Sequence, residues 1–270
     1  VNENRPVTDV TLLGIVNATP DSFSDGGAYD PLSHALKLID EGADGIDIGG
    51  ESTRPGAMVL SLEEESNRVL PVISALRAVY SGPISIDTQK PELAIRAYEA
   101  GATIWNDVNG LRSEGAFEVF RKIKADVIIM HMQNDPATMQ NAPYYKDVIG
   151  EVEEFLLTQA HKAMQYGLTK DQIILDPGLG FGKTLDNNLA LLRAIPRLKK
   201  NGFRLLIGAS NKSMIAHCEA MAGHKPSLPD QRLAGSLMIH LKAAELGADI
   251  VRVHNVAAHR QAFLMASRLN

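Results

Sequence analysis

Asp176 follows the apolar run Ile173-Ile174-Leu175 and precedes Pro177-Gly178-Leu179-Gly180, which sets a carboxylate beside backbone with few side chains to obstruct a ligand. Such a group can accept two N–H bonds from the edge of an amidine-like or guanidine-like heterocycle. An Asp at a strand end also caps the following loop, and this segment alone leaves both uses open. Arg252 and His254 alternate around Val253, so on a strand they share one face. Two cations aimed at one place call for an anion or an aromatic plane, or for a salt bridge to Asp47 or Asp87. Ser210-Asn211-Lys212-Ser213 follows another apolar run and opens a helical pattern, offering hydroxyls, N–H groups and an ammonium to a single ligand. A Schiff-base role for Lys212 is disfavoured, because a helix start does not desolvate an amine enough to lower its pKa. His131, between Met130 and Met132, serves equally well as a ligand or as the partner of a nearby carbonyl.

Three loops surround these groups. Asn17 to Gly27 is long and polar, holds hydroxyls, Asp21 and Asp25 and a glycine pair, and strands Phe23 without an evident core. A loop of that length inside a compact domain usually covers something. Gly49 to Ala57 combines small residues, hydroxyls and Arg54, a set suited to an anion, though a tight turn with Arg54 paired to Glu51 has the same composition. Asp176 to Thr184 imitates a phosphate-binding P-loop, but Pro177 stands where the first glycine belongs, and Lys183 occupies the third-glycine position of a dinucleotide fingerprint. No His, Cys and Asp cluster has structural zinc spacing, and no Ser-His-Asp order is compelling.

The elements that must position these groups repeat one grammar. Apolar runs at Val10–Val16, Gly45–Ile48, Ile84–Ile86, Ile104–Trp105, Val127–Met130, Ile173–Leu175, Leu205–Ile207 and Ile250–Val253 each deliver polar residues to a loop. Between them lie helical patterns. Asp30-Pro31 caps one over Leu32, Ala35, Leu36 and Ile39, Ser61-Leu62-Glu63-Glu64 forms a capping box, and Pro91 opens another. Gly42-Ala43-Asp44, Gly101-Ala102-Thr103 and Gly247-Ala248-Asp249 reuse one helix-to-strand turn. About eight such units, with extra length from His217 to Asp230, predict an α/β (β/α)8 barrel, a single domain over residues 1–270, with every polar strand end on one face. An open doubly wound sheet is the alternative, but it would be expected to have fewer strands and usually a first-turn fingerprint.

With 27 Lys and Arg against 32 Asp and Glu the net charge is −5, and 45% of residues are apolar, as in a globular domain with ample core. No basic tract is dense enough to grip a phosphate backbone, so nucleic acid is not an expected partner. No apolar stretch reaches the length of a membrane span, and Val1 to Arg5 lacks a signal peptide's apolar core; a cytoplasmic protein is expected. Cys218 is alone, with neighbours that suggest a packed or indifferent thiol rather than a nucleophile.

From about Leu13 to Val256 the chain closely resembles the dihydropteroate synthase family. The resemblance is carried by Gly14–Gly27, Gly50–Ala57, Ser85-Ile86-Asp87-Thr88, Asn106-Asp107, Met130-His131-Met132, Asp176–Lys183, Lys212-Ser213-Met214 and Arg252-Val253-His254. It implies a barrel, usually a homodimer, that joins 6-hydroxymethyl-7,8-dihydropterin pyrophosphate to p-aminobenzoate with Mg2+ present. It implies a pterin pocket of Asp87, Asn106, Asp176 and Lys212, with Arg252 stacked on the pterin and Met130 and Phe181 as wall. It gives the pyrophosphate to Asn17, Thr53, Arg54, Arg252 and His254, with Asn17 also reaching the metal and Asp21 or Asp25 completing the shell. Phe23, Pro55, Phe181, Lys212 and Ser213 would shape the p-aminobenzoate site. The catalytic set would be Asp87, Lys212, Arg252 and His254, with pyrophosphate leaving before the amine attacks and ionised Asp87 stabilising the resulting cation.

Three positions depart from the family pattern: Asn211 where Arg usually precedes the lysine, Asn255 where Asp commonly follows the histidine, and Leu179 in place of an aromatic or Ile. A pterin-dependent methyltransferase would share the pocket but have no use for a pyrophosphate clamp. A non-catalytic pterin-binding barrel would tolerate loss of Asn17, Arg54 or His254, and all three are present.

Overall fold

A computed structural model describes residues 9–18, 30–52, 58–134 and 138–269. Eight parallel strands close into a barrel in chain order: β1 Thr11–Asn17, β2 Gly45–Gly49, β3 Ile84–Asp87, β4 Ile104–Asp107, β5 Asp126–Met130, β6 Ile173–Asp176, β7 Arg204–Ile207 and β8 Ile250–Val253. The helices are α1 Pro31–Asp40, α2 Leu62–Val79, α3 Pro91–Glu99, α4 Val148–Gln165, α5 Leu185–Arg193, α6 Ile195–Lys199, α7 Ser213–Met221, α8 Leu233–Glu245 and α9 Val256–Leu269. The expected (β/α)8 barrel is present, with two local differences. Between β4 and β5 a short 3-10 turn, Phe117–Arg121, stands in the helix's place, and after β6 the helical segment is split into α5 and α6.

The boundary signals act as their chemistry predicts. Asp30 accepts from the N–H groups of Leu32 and Ser33 at the start of α1, and Ser61 and Glu64 form a reciprocal capping box on α2. On α1 the buried positions are Pro31, Ala35 and Leu38, while Leu36 is exposed, so the buried stripe lies slightly round from the expected one.

The repeated turn is one device used three times. Gly42, Gly101 and Gly247 adopt φ of 98°, 115° and 108°, and the N–H groups of Ala43, Ala102 and Ala248 reach back to the carbonyls of Leu38, Ala97 and Ala243. The residue after each alanine then ties the incoming strand to its neighbour. Asp44 and Asp249 donate their N–H to Leu12 and Leu205, and their carboxylates accept from those same residues' N–H groups. Thr103 does likewise with Ile84 through its hydroxyl.

Alternation along the strands sorts the barrel into an outer core against the helices and an inner stack. Leu13, Ile128, Ile174, Leu206 and Ile250, joined by Ile104, form a separate apolar cluster inside the barrel. Two residues further along, on the same face, stand Asn106, Met130, Asp176 and Arg252. The register of β2 with β1 and β3 places Asp47 opposite Ile15 and Ser85, and Gly49 opposite Asn17 and Asp87. Apolar packing therefore fills the amino end of the barrel, and most of its polar inner groups lie at the carboxyl end. Among the described residues no helix is long and apolar enough to cross a membrane. Cys218 is exposed on α7, so the packed alternative for its thiol does not hold.

Candidate active site

The centre of the polar end is a partly buried ion cluster. Arg252 Nε donates to Asp47 Oδ2 at 2.5 Å and its Nη2 donates to Asp87 Oδ2 at 2.6 Å. Asn106 Nδ2 donates to the same Asp47 oxygen at 3.2 Å. The salt bridge weighed as an alternative for Arg252 thus exists with both carboxylates at once. Hydrogen bonds to a guanidinium lie in its plane, so an arginine held at its edge keeps a face for stacking.

Burial opposes the charge of Arg252, but Asp47 and Asp87 outweigh it and hold the guanidinium's pKa above its ordinary value. Asp87 responds in the other direction. Burial raises its carboxyl, Arg252 pulls it back, and Asp47, Glu65 and Asp107 add to the rise, leaving it at about 7. Asp47 is fully buried, and its Oδ1 and the nearby strand hydroxyl of Ser85 have no hydrogen-bond partner among the described residues.

Asp176 both caps its loop and faces the site. Its Oδ1 accepts the N–H of Gly178 at 2.7 Å, and burial pushes the carboxyl up to about 6 against the pull of that bond and of Lys212, Lys183 and Arg252. Gly178 has φ of 66°, and a Cβ there would lie 1.9 Å from the carbonyl oxygen of His131, so the turn admits only glycine.

Lys212 caps α7, as expected, but its environment differs from the solvated one inferred from a helix start. Its Nζ sits 3.9 Å from the centroid of the Phe181 ring. Burial lowers its pKa most, Arg252 adds to that, Asp176 and Asp87 oppose it, and the ammonium is brought down to about 8. The backbone has been folded against the side chain, which helix position alone does not reveal. Phe181 in turn packs on Met130, Met132, Met139 and Val108, so Met130 and Phe181 belong to one apolar group beside the lysine.

His254 follows β8, where its N–H and Nδ1 both meet Ser210 Oγ, at 3.2 and 2.9 Å. Asn17 is exposed at the end of β1, beside Gly49. Ser213 is exposed at the first position of α7. Thr53, Arg54, Pro55, Phe23, Asp21 and Asp25 lie outside the described residues. Glu51, weighed as a partner for Arg54, accepts from Lys90 Nζ at 2.7 Å, Gln89 Nε2 at 3.1 Å and the N–H of Leu60 at 2.9 Å. The last bond joins the chain on the two sides of residues 53–57.

Two groups emerge that the sequence reading did not place. The sequence offers Asp47 only as an alternative partner of Arg252, yet Arg252 and Asn106 share its Oδ2; its signal is the inward parity it has in common with Ser85 and Asp87. Lys183 entered only as a failed motif position. Its Nζ is buried, donates to the carbonyls of Phe181, Gly178 and His131 at 2.9, 3.0 and 3.2 Å, and approaches His131 Nδ1 at 3.0 Å. It therefore binds the loop after β6 to the end of β5. Burial and the charges of Lys183 and Arg112 bring His131 down to about 3, so it is a neutral acceptor rather than an acid–base group. Asp107 spends both carboxylate oxygens on the N–H groups of Asn109 and Leu111.

Among the described residues no group of three or more His, Cys, Asp and Glu side chains is placed to hold a metal ion. Mg2+ commonly takes only one or two protein oxygens and fills its shell with water and substrate phosphate. Asn17, exposed at the strand end, carries an amide oxygen of the kind that fits one such position.

Residues 13–254 match the family described as pterin binding enzyme. The chain is 45% identical over 263 residues to a dihydropteroate synthase of Synechocystis sp., covering 96% of this chain and 89% of that one. Its structure superposes on Xanthomonas albilineans dihydropteroate synthase with 4-aminobenzoic acid at a TM-score of 0.89 and 43% identity, covering 97% and 94% of the two chains. The same organism's enzyme in complex with 7,8-dihydropteroate gives a TM-score of 0.86 at 40% identity, covering 99% and 96%.

Proposed function

The chain belongs to the dihydropteroate synthases, a family of pterin-binding enzymes, and from that membership we propose that it joins 6-hydroxymethyl-7,8-dihydropterin pyrophosphate to p-aminobenzoate, yielding 7,8-dihydropteroate and pyrophosphate in folate synthesis. The observation that carries this reading is the polar cluster of Asp87, Asn106, Asp176, Lys212 and Arg252 at the carboxyl end of the barrel, backed by Met130 and Phe181. A pterin edge presents an amino group and a ring N–H to carboxylates and a carbonyl to an ammonium. Asp176 and Asn106 bind that edge, Lys212 donates to the carbonyl, and the face of Arg252 stacks on the ring.

The leaving group is attached to a methylene next to an electron-rich ring. Its departure leaves a cation delocalised into the pterin, which the ionised Asp87 carboxylate stabilises electrostatically. No covalent intermediate with the protein is needed. His254, oriented by Ser210, and Arg252 receive the pyrophosphate together with Asn17, Thr53 and Arg54. Mg2+, when bound through Asn17 and a carboxylate of Asp21 or Asp25, supplies further neutralisation of the leaving charge. Phe23, Pro55, Phe181, Lys212 and Ser213 form the p-aminobenzoate side. A homodimer and a cytoplasmic location accompany this reading.

The test is pyrophosphate release measured with dihydropteroate formation, with and without p-aminobenzoate, in the presence of Mg2+. Equal amounts of the two products are expected. Bound pterin pyrophosphate with no release under either condition would sink the synthase reading in favour of a binding barrel.

A further inference from the structure

Two histidines buried outside the site are wired to both sides of its pyrophosphate end. His240 on α8 and His259 on α9 are fully buried, and His240 Nδ1 meets His259 Nε2 at 2.8 Å. At one end of this pair the N–H of Ala209, two residues after β7, donates to His240 Nε2 at 2.9 Å. At the other, His259 Nδ1 meets the carbonyl of Asn255 at 2.6 Å, one residue after His254.

A backbone N–H can only donate and a carbonyl can only accept, so the proton positions follow. His240 Nε2 is bare, its proton lies on Nδ1 and is donated to His259 Nε2, and the proton of His259 lies on Nδ1 and is donated to Asn255. A second proton on either ring would set two donors face to face. Burial favours the neutral form of both rings, in keeping with that pattern.

The same helix holds the next loop residue but one. Ser236, one turn before His240 on α8, accepts the N–H of Asn211 at 2.9 Å, while Arg232 Nη1 donates to the Asn211 carbonyl at 3.0 Å. Ala209 and Asn211 are thus bound to α8 through their main chain, and the alternate residues turn to the site. Ser210 meets His254, and Lys212 lies over Phe181.

We propose that His240 and His259 form a neutral hydrogen-bond relay of fixed direction that sets the loop after β7 against the end of β8, and with it the Ser210–His254 pair. Both are positioning residues. The inference rests on the reading of His254 as part of the pyrophosphate clamp.

The experiment is two-bond 1H–15N correlation NMR of the imidazoles in the full-length protein, paired with steady-state kinetics of H240F and H240Q. At neutral pH both rings are expected as neutral Nδ1–H tautomers. H240F leaves the buried Ala209 N–H without its acceptor and is expected to raise KM for dihydropterin pyrophosphate about tenfold, the size of one such loss, with a much smaller change in KM for p-aminobenzoate. H240Q supplies an amide oxygen to that N–H and recovers most of the change. A cationic ring or an Nε2–H tautomer would overturn the relay, as would an H240F enzyme with unaltered kinetics or one whose two KM values rise together without rescue. If H240F does not fold, the wild-type tautomers decide. A wild-type protein that makes no dihydropteroate would remove the functional reading, whereas wrong tautomers in an active enzyme would remove only the relay.

Discussion

Replacing Asp47 by asparagine keeps the shape of the site and removes one of the two carboxylates that hold Arg252. Arg252 Nε donates to Asp47 Oδ2 at 2.5 Å and Asn106 shares the same oxygen, so D47N turns an ion pair into a hydrogen bond from the guanidinium to a neutral amide. Such a change in a buried place costs about 2 kcal/mol. In a chain of this size that lowers Tm by roughly 3 to 4 °C, read by scanning calorimetry. A second consequence concerns Asp87. Its carboxyl is held up to about 7 by burial and by neighbouring charges that include Asp47, against the pull of Arg252. If the ionised form of Asp87 supports departure of pyrophosphate, kcat/KM rises with pH through about 7 in the wild-type enzyme. D47N removes one negative neighbour, so Asp87 ionises at lower pH and the rising limb moves in the acid direction. The pH profile of dihydropteroate formation checks this, and a limb that stays in its wild-type place with an unchanged Tm would refute the coupling of Asp47 to Asp87.

The alkaline side of that profile belongs to Lys212. Its ammonium is brought down to about 8 chiefly by burial, so activity is expected to fall as pH rises through that value, and K212R, which stays charged, should shift or abolish the alkaline limb at the cost of a lower rate. Asn211 adopts φ of 58°, where asparagine is tolerated and most side chains are strained. N211R should therefore lose about 1 kcal/mol of stability by denaturant titration and gain no activity, whereas a gain in turnover would mean that the family's usual arginine supplies something this chain lacks. G178A forces a Cβ against the carbonyl of His131 and should cost more than about 3 kcal/mol or displace Asp176, visible as weakened pterin binding by calorimetry; normal stability and affinity would show that the turn can relax.

The barrel was legible because each strand carries its own punctuation. Ile104 before Asn106, Ile174 before Asp176 and Ile250 before Arg252 write an apolar layer and then a polar one in steps of two, and the closed sheet turns those steps into stacked rings. The glycine turns were legible for the same reason: the conformation they require is local. What escaped the sequence was pairing across the barrel. Arg252 and Asp47 are 205 residues apart, and only closure of β1 on β8 brings them into contact. A helix start misleads about Lys212 because its side chain lies against Phe181 and Gly180 of the loop after β6. The 3-10 turn after β4 was missed because it fills a place where the repeating grammar supplies a helix.

The central claim is that Asp87 acts as a carboxylate on the developing pterin cation, and D87N tests it most directly. Asparagine preserves shape and hydrogen bonding but not charge, so calorimetric affinity for pterin pyrophosphate should stay within about threefold of wild type while dihydropteroate formation falls by about two to three orders of magnitude. Unchanged turnover in D87N would contradict the account and remove Asp87 from the chemistry.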